Sequence, residues 1–167
     1  MGYLSRQLLQ PERTTLTQAL IRAYADEWFA HYNYWFVANT VCGPASLGVA
    51  ALLRRKAQRA LTHANRLAAR LNELGSRPVA KLTELVQYAT DKPFKLPDDV
   101  RDLDGALRAV LDAERTSLRT YQRLYEQARE HDPVTQDLAL ELLTEAVHGE
   151  EQLERLLGGP APELGGR

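Results

Sequence analysis

Four long segments of this chain carry stripes of apolar residues spaced alternately four and three apart, and only one of the connections between them is long. In the first segment, Thr14–Thr40, the stripe is Leu16, Leu20, Ala23, Glu27, Ala30, Tyr34, Val37, with Val41 just beyond it. That spacing is the seam of a helix in a bundle. A second helix is expected from Ser46, the candidate N-cap, to Leu74, where Gly75 supplies a stop. A third covers Val100–Arg129, with Leu107, Val110, Glu114, Leu118, Tyr121 and Leu124 facing inward. The run His131-Asp132-Pro133 reads as a break with a cap and a first-turn proline. The fourth helix then runs from Pro133 to Leu157, with Leu138, Leu142, Glu145, His148 and Leu156 inward. Short turns make the first two helices one antiparallel hairpin and the last two another. Residues 75–99 are long enough to cross the bundle between the hairpins, and "AKLTELVQYA" within them reads as a short helix. The fold class is all-α: a four-helix bundle with one long crossover.

At 167 residues the chain is expected to form one domain. Its span is 1–157, with a short N-terminal arm (1–13), and the tail 158–167, "GGPAPELGGR", is expected to be flexible. Residues 28–53 contain no Asp, Glu, Lys or Arg and are numerous enough to span a bilayer. His31, Asn33, Asn39, Thr40 and Ser46 would then face lipid, and Gly43-Pro44 interrupts the run. Two helices meeting at a tight corner account for it better. Trp28, Tyr32 and Trp35, beside Phe29 and Phe36, form a second stripe on the first helix. Such a face marks association, with partial cover by the crossover as the alternative.

The charge balance excludes an obvious nucleic-acid or membrane footprint: 21 Lys+Arg stand against 22 Asp+Glu, a formal net charge of −1. Cys42 is the single cysteine, which excludes an internal disulfide or a multi-thiolate metal site within one chain. It is expected to be a small buried filler, and the compartment is read as reducing and cytoplasmic. No CxxC pair, Gly-rich phosphate loop, nucleophile elbow or HExxH is present.

Each stripe is apolar except near its middle, where it offers a metal-ligand residue type. These are Glu27 on the first helix, His63 between Ala60 and Leu67 on the second, Glu114 on the third, and Glu145 with His148 on the fourth. A buried carboxylate costs several kcal/mol, on the order of the desolvation penalty per ion, unless it is neutralised. Converging carboxylates therefore need cations or protons, and a divalent metal would supply the charge. Oxygen and imidazole ligands suit iron, zinc or manganese. The alternative is a stripe rotated by one position, with its acid reaching water.

The chain here resembles the ferritin-like superfamily, and within it the bacterioferritin-related and Dps-like proteins, over about residues 14–157. "EWFAHYNYW" and "THANRLAARLNELGSRP" are similar to that family's first helix and the second half of its second. The resemblance implies a di-iron ferroxidase centre, with matches at Glu27, His63, Glu114, Glu145 and His148, and Tyr34 at the family's tyrosine beside the site. It also exposes a gap: the second helix's bridging Glu is replaced by Ala60. His31, one turn after Glu27, is either a substitute ligand or a hydrogen-bonded histidine. Lys56, one turn before Ala60, is placed to pair with Glu114 or Glu145, as in ferritin light chains. The family's haem-ligating Met position is Leu61, and Met1 is the only methionine, so haem held by paired methionines is excluded.

What the resemblance implies for function is a hollow homo-oligomeric shell, with a dodecamer favoured over twenty-four subunits. It would oxidise Fe(II) with O2 or H2O2 and store the ferric mineral. Glu27 and His63 would hold one ion, Glu114 and His148 the other, Glu145 would bridge, and Tyr34 would donate a hydrogen bond or an electron. The alternative is a non-catalytic structural or scavenging shell subunit, with the site plugged by Lys56 or holding one Zn(II). DNA binding is not expected.

Overall fold

The computed structural model describes residues 13–90, 97–129 and 131–159. The expected arm and tail therefore lie almost wholly outside the described residues. Among the described residues five helices follow one another: α1 (Arg13–Thr40), α2 (Ser46–Glu73), α3 (Leu82–Tyr88), α4 (Leu103–Ala128) and α5 (Pro133–Leu156). No strand occurs among the described residues. α1 pairs with α2 and α4 with α5, while α1 also packs on α4 and receives the crossover helix α3. This is the four-helix bundle with a crossover that the connection lengths imply. No described helix is long and apolar enough to cross a membrane.

The junctions follow from local chemistry. Gly43 takes a φ of 114°, which turns the chain sharply between α1 and α2. Ser46 is not the N-cap: Ala45 holds that position, and the Ser46 hydroxyl donates to the Gly43 carbonyl at 2.7 Å. Gly75, with φ 72°, ends α2 as expected, its N–H donating to Asn72 O and that of Ser76 to Leu71 O. α4 begins three residues later than the periodicity suggested, because the Asp102 carboxylate accepts from Gly105 N and fixes the cap there. Asp132 caps α5 ahead of Pro133. Cys42 is only half-buried, and its N–H donates to Val100 O, tying the first corner to the start of the second hairpin.

The seams of α1 and α4 are placed as expected, with Leu16, Leu20, Ala23, Ala30, Tyr34 and Val37 buried on one, and Leu107, Val110, Tyr121 and Leu124 on the other. That of α5 is rotated. Its buried positions are Thr135, Ala139, Leu142, Ala146, Gly149 and Leu153, whereas Leu156 and His148 are exposed. Small residues let α5 lie close to its neighbours, Leu142 and Leu153 fill the core beside them, and Leu138 and Leu156 flank the contact. On α1, α3 packs alongside, yet Tyr32 and Trp35 remain 57% and 51% exposed, with Phe36 beside them.

The interior divides into two apolar halves. One gathers Val37, Leu53, Leu107, Val110 and Leu153, and the other Leu20, Leu67, Leu71, Tyr121 and Leu142. Between them lies a layer of buried charge.

Candidate metal centre

Each long helix contributes to that layer at mid-length. Glu27, Lys56, His63 and Glu114 are all buried. α1 brings Glu27, α4 brings Glu114, and one face of α2 brings Lys56, Ala60 and His63 at helical spacing. The fourth helix contributes less than expected. Its rotation leaves the Glu145 side chain 42% exposed at the rim and turns His148 into a surface groove with Arg59, Glu151, Gln152 and Arg155. What α5 presents to the interior is the backbone of Gly149.

The carboxylates are neutralised from within the protein. Glu114 Oε1 accepts from Lys56 Nζ at 2.9 Å, Arg59 Nη2 at 3.2 Å and the Tyr34 hydroxyl at 3.3 Å. Its Oε2 accepts from Arg59 at 3.3 Å. Lys56 also reaches Gly149 O at 3.4 Å. Of the two carboxylates open to Lys56 in the sequence, the fold selects Glu114. Glu27 accepts from the Tyr121 hydroxyl, and its Oε1 lies 3.5 Å from His63 Nδ1. His63 Nε2 sits 2.9 Å from Glu145 Oε2, and Arg66 flanks the rim, bonded to Glu141 and 3.6 Å from Glu145. Three carboxylates thus face Lys56, Arg59, Arg66 and an imidazole. The charge problem that called for a divalent ion is met by side-chain cations instead.

Titration follows from these contacts. Burial pulls the Lys56 ammonium below the usual lysine range, and Glu114 opposes that shift without cancelling it. For His63 burial works downward, but Glu27 and then Glu145 outweigh it and hold the imidazole above its ordinary value. Burial, and then the neighbouring carboxylates, push the Tyr34 and Tyr121 phenols well above 10, so both stay protonated donors. His31 does not turn toward the layer; its Nδ1 donates to Ala57 O at 2.8 Å, binding α1 to α2.

The five residues matched to metal ligands therefore divide. Glu27, His63 and Glu145 form a contact chain from the interior to the rim, Glu114 is engaged by cations, and His148 stands outside. Among the described residues no group of three or more His, Cys, Asp or Glu side chains is gathered as a ready-made metal cage. The space left among Ala30, Ala60, Ser117 and Ala146 is about 10 Å³, roughly room for one water. The sequence reading missed Arg59, Gly149 and the bond from Tyr121 to Glu27. Arg59 was detectable as the neighbour of Ala60 on the Lys56 side, and Gly149 as an isolated glycine inside a helix.

The arrangement, four helices closing on a central charged layer, matches a known family. The model of the ferritin-like domain matches residues 17–159. The chain belongs to the ferritin-like family. Among solved structures it is similar to the bacterioferritin-related protein of Bacteroides fragilis, described as a dodecameric thioferritin. That likeness has a TM-score of 0.87 and 26% identity, covering 94% of each chain. Dps from Thermosynechococcus elongatus shares the fold, with a TM-score of 0.81 over 98% of this chain and 99% of that one, at 19% identity. A curated relative, the DNA protection during starvation protein of Pyrococcus furiosus, is 28% identical over 144 residues, 86% of this chain and 77% of its own length. In this ferritin-like chain the layer holds Ala60 on α2 and two cations, Lys56 and Arg59, on Glu114.

Proposed function

We propose that this ferritin-like chain is an iron-sequestering shell subunit whose intra-subunit centre takes a single ion and has lost pairwise Fe(II) oxidation. The observation that carries this reading is Lys56 Nζ, buried at 2.9 Å from Glu114 Oε1 with Arg59 on the same carboxylate. An ammonium there supplies the positive charge that a second ion would bring. The half that can still accept a cation is Glu27, His63 and Glu145, with oxygen and imidazole donors suited to Fe(II), Zn(II) or Mn(II). Fe(II) reaches it as cargo, through the rim at Glu145. Tyr34 and Tyr121 hold the buried carboxylates in place by hydrogen bonding.

The shell itself is a homo-oligomer, and a dodecamer is supported by the dodecameric relative and by the exposed aromatic face of α1. The near balance of charge supports a shell without DNA affinity, although one relative is named for DNA protection, and the single cysteine supports a reducing, cytoplasmic setting. The rival reading, a working ferroxidase using O2 or H2O2, is favoured by the intact Glu27–His63–Glu145 chain with tyrosines beside it.

Anaerobic Fe(II) titration followed by oxygen separates the two. The wild type is expected to bind at most about one Fe(II) per chain and to lack a fast oxidation phase, since a two-ion centre needs the bridging carboxylate and both flanking ones. Adding Ala60→Glu while removing both cations (Lys56→Ala, Arg59→Ala) should restore a second ion and rapid oxidation. Two irons per chain with fast oxidation in the wild type would establish the rival.

A further inference from the structure

We infer that Gly149 is the specificity-determining position of this centre, because the absence of its side chain is what lets Arg59 reach Glu114. The inference rests on the single-ion reading above and explains how the second carboxylate is withdrawn from metal. Glycine is the least favourable residue for a helix interior after proline, yet Gly149 sits within α5, buried and well away from either end. A Cβ built there would overlap Glu114 Oε2 and stand 2.8 Å from Arg59 Nη2. The bond between Arg59 and Glu114 Oε2 therefore lies in a gap that only glycine leaves open.

That gap controls one particular oxygen. Glu114 Oε1 is held by Lys56 and Tyr34 as well as Arg59, whereas among the described residues Arg59 is the one cation on Oε2. Arg59 is also the one member of the trio with substantial exposure, 30% for its side chain, and it lines the outer groove beside His148 and Arg155. It can leave into that groove without burying charge elsewhere. A methyl group at 149 would overlap Oε2 itself as well as crowd Arg59, so it would part the pair: Arg59 leaves into the groove, and Oε2, shifted off the methyl, is free for a bound cation. The setting of α5 thus places Gly149 against the layer and His148 outside it, and Arg59 uses the opening.

The test is a double-mutant cycle on the assembled protein, with Gly149→Ala, Arg59→Ala and the double variant, read by anaerobic Co(II) binding through its visible d–d absorption. Each single variant should raise Co(II) affinity about fivefold or more, a typical coupling between contacting groups, and the double should gain nothing further. A glycine that mattered only for helix packing would leave affinity unchanged in Gly149→Ala. Equally, effects that simply add in the double would overturn the inference. Should Gly149→Ala fold poorly, its melting temperature decides: adding Arg59→Ala should raise it, and a further fall would count against the steric link. Two Co(II) per chain in the wild type would instead overturn the single-ion reading, which separates the two failures.

Discussion

Glu114→Ala should destabilise the protein by about 3–5 kcal/mol, the usual cost of stranding a buried charge. The variant takes the carboxylate from the buried Lys56 ammonium, which keeps the Gly149 carbonyl at 3.4 Å, and removes an acceptor of Tyr34. For a domain of this size the melting temperature should drop by roughly 10 °C. Lys56→Met should be milder, because Glu114 keeps Arg59 and Tyr34. Combining Lys56→Met with Glu114→Leu removes both charges from the core and should recover much of the loss. The measurement is thermal unfolding by circular dichroism with a chelator present, so that bound metal does not stabilise the native state. If Glu114→Ala is as mild as a surface substitution, the ion pair does not hold the layer together.

An equally large effect is expected far from the charged layer, at the α4–α5 corner. Arg70, from the last turns of α2, donates to both oxygens of Asp132, at 2.8 and 2.6 Å, to Thr135 Oγ1 at 2.8 Å and to Glu73 at 2.7 Å. Asp132 also caps α5, accepting from the Thr135 N–H and hydroxyl. One buried carboxylate thus starts a helix and pins the second hairpin to the first. Asp132→Ala should cost about 3–5 kcal/mol, since it breaks a buried ion pair, leaves Arg70 only its bonds to Glu73 and Thr135, and removes the cap. Burial works to raise the Asp132 pKa, but the bonds from Arg70 and Thr135 outweigh it and hold the carboxyl below its ordinary 3.8. A folded-state pKa below the unfolded one gives stability that is complete above the ordinary value and lost as pH falls through the lower, folded value. Asp132→Asn keeps a capping oxygen without the charge, so its stability should fall less steeply on acidification. An acid limb that parallels the wild type would show that the pair contributes nothing to pH dependence.

The parts of this molecule that sequence alone revealed are those where large side chains mark the buried face. On α4, leucine, valine and tyrosine alternate with charged residues, and on α1 the same residue types keep the four-three spacing, so the seams through Glu27 and Glu114 lie where they were expected. α5 was legible as a helix but not in its rotation. Half of its contact face is Ala139, Ala146 and Gly149, which carry little hydrophobic signal beside Leu142 and Leu153, while Leu138 and Leu156 pulled the expected stripe toward His148. Ser46 was misplaced for a related reason: a hydroxyl at a helix start can bond forward as a cap or backward to the preceding turn, and Gly43 supplies the backward acceptor. The spacing of Lys56, Ala60 and His63 on one helix face was plain, but which carboxylate lies opposite Lys56 depends on how α2 and α4 are set against each other. Residue spacing within one helix carries no information about that setting.

Diffraction from crystals grown with Fe(II) or Zn(II), recorded at the metal's absorption edge, tests the central claim most directly. A single anomalous peak beside Glu27, His63 and Glu145, with Lys56 still on Glu114, is the predicted result. Two peaks bridged across Glu27 and Glu114, with Lys56 and Arg59 swung away, would contradict it.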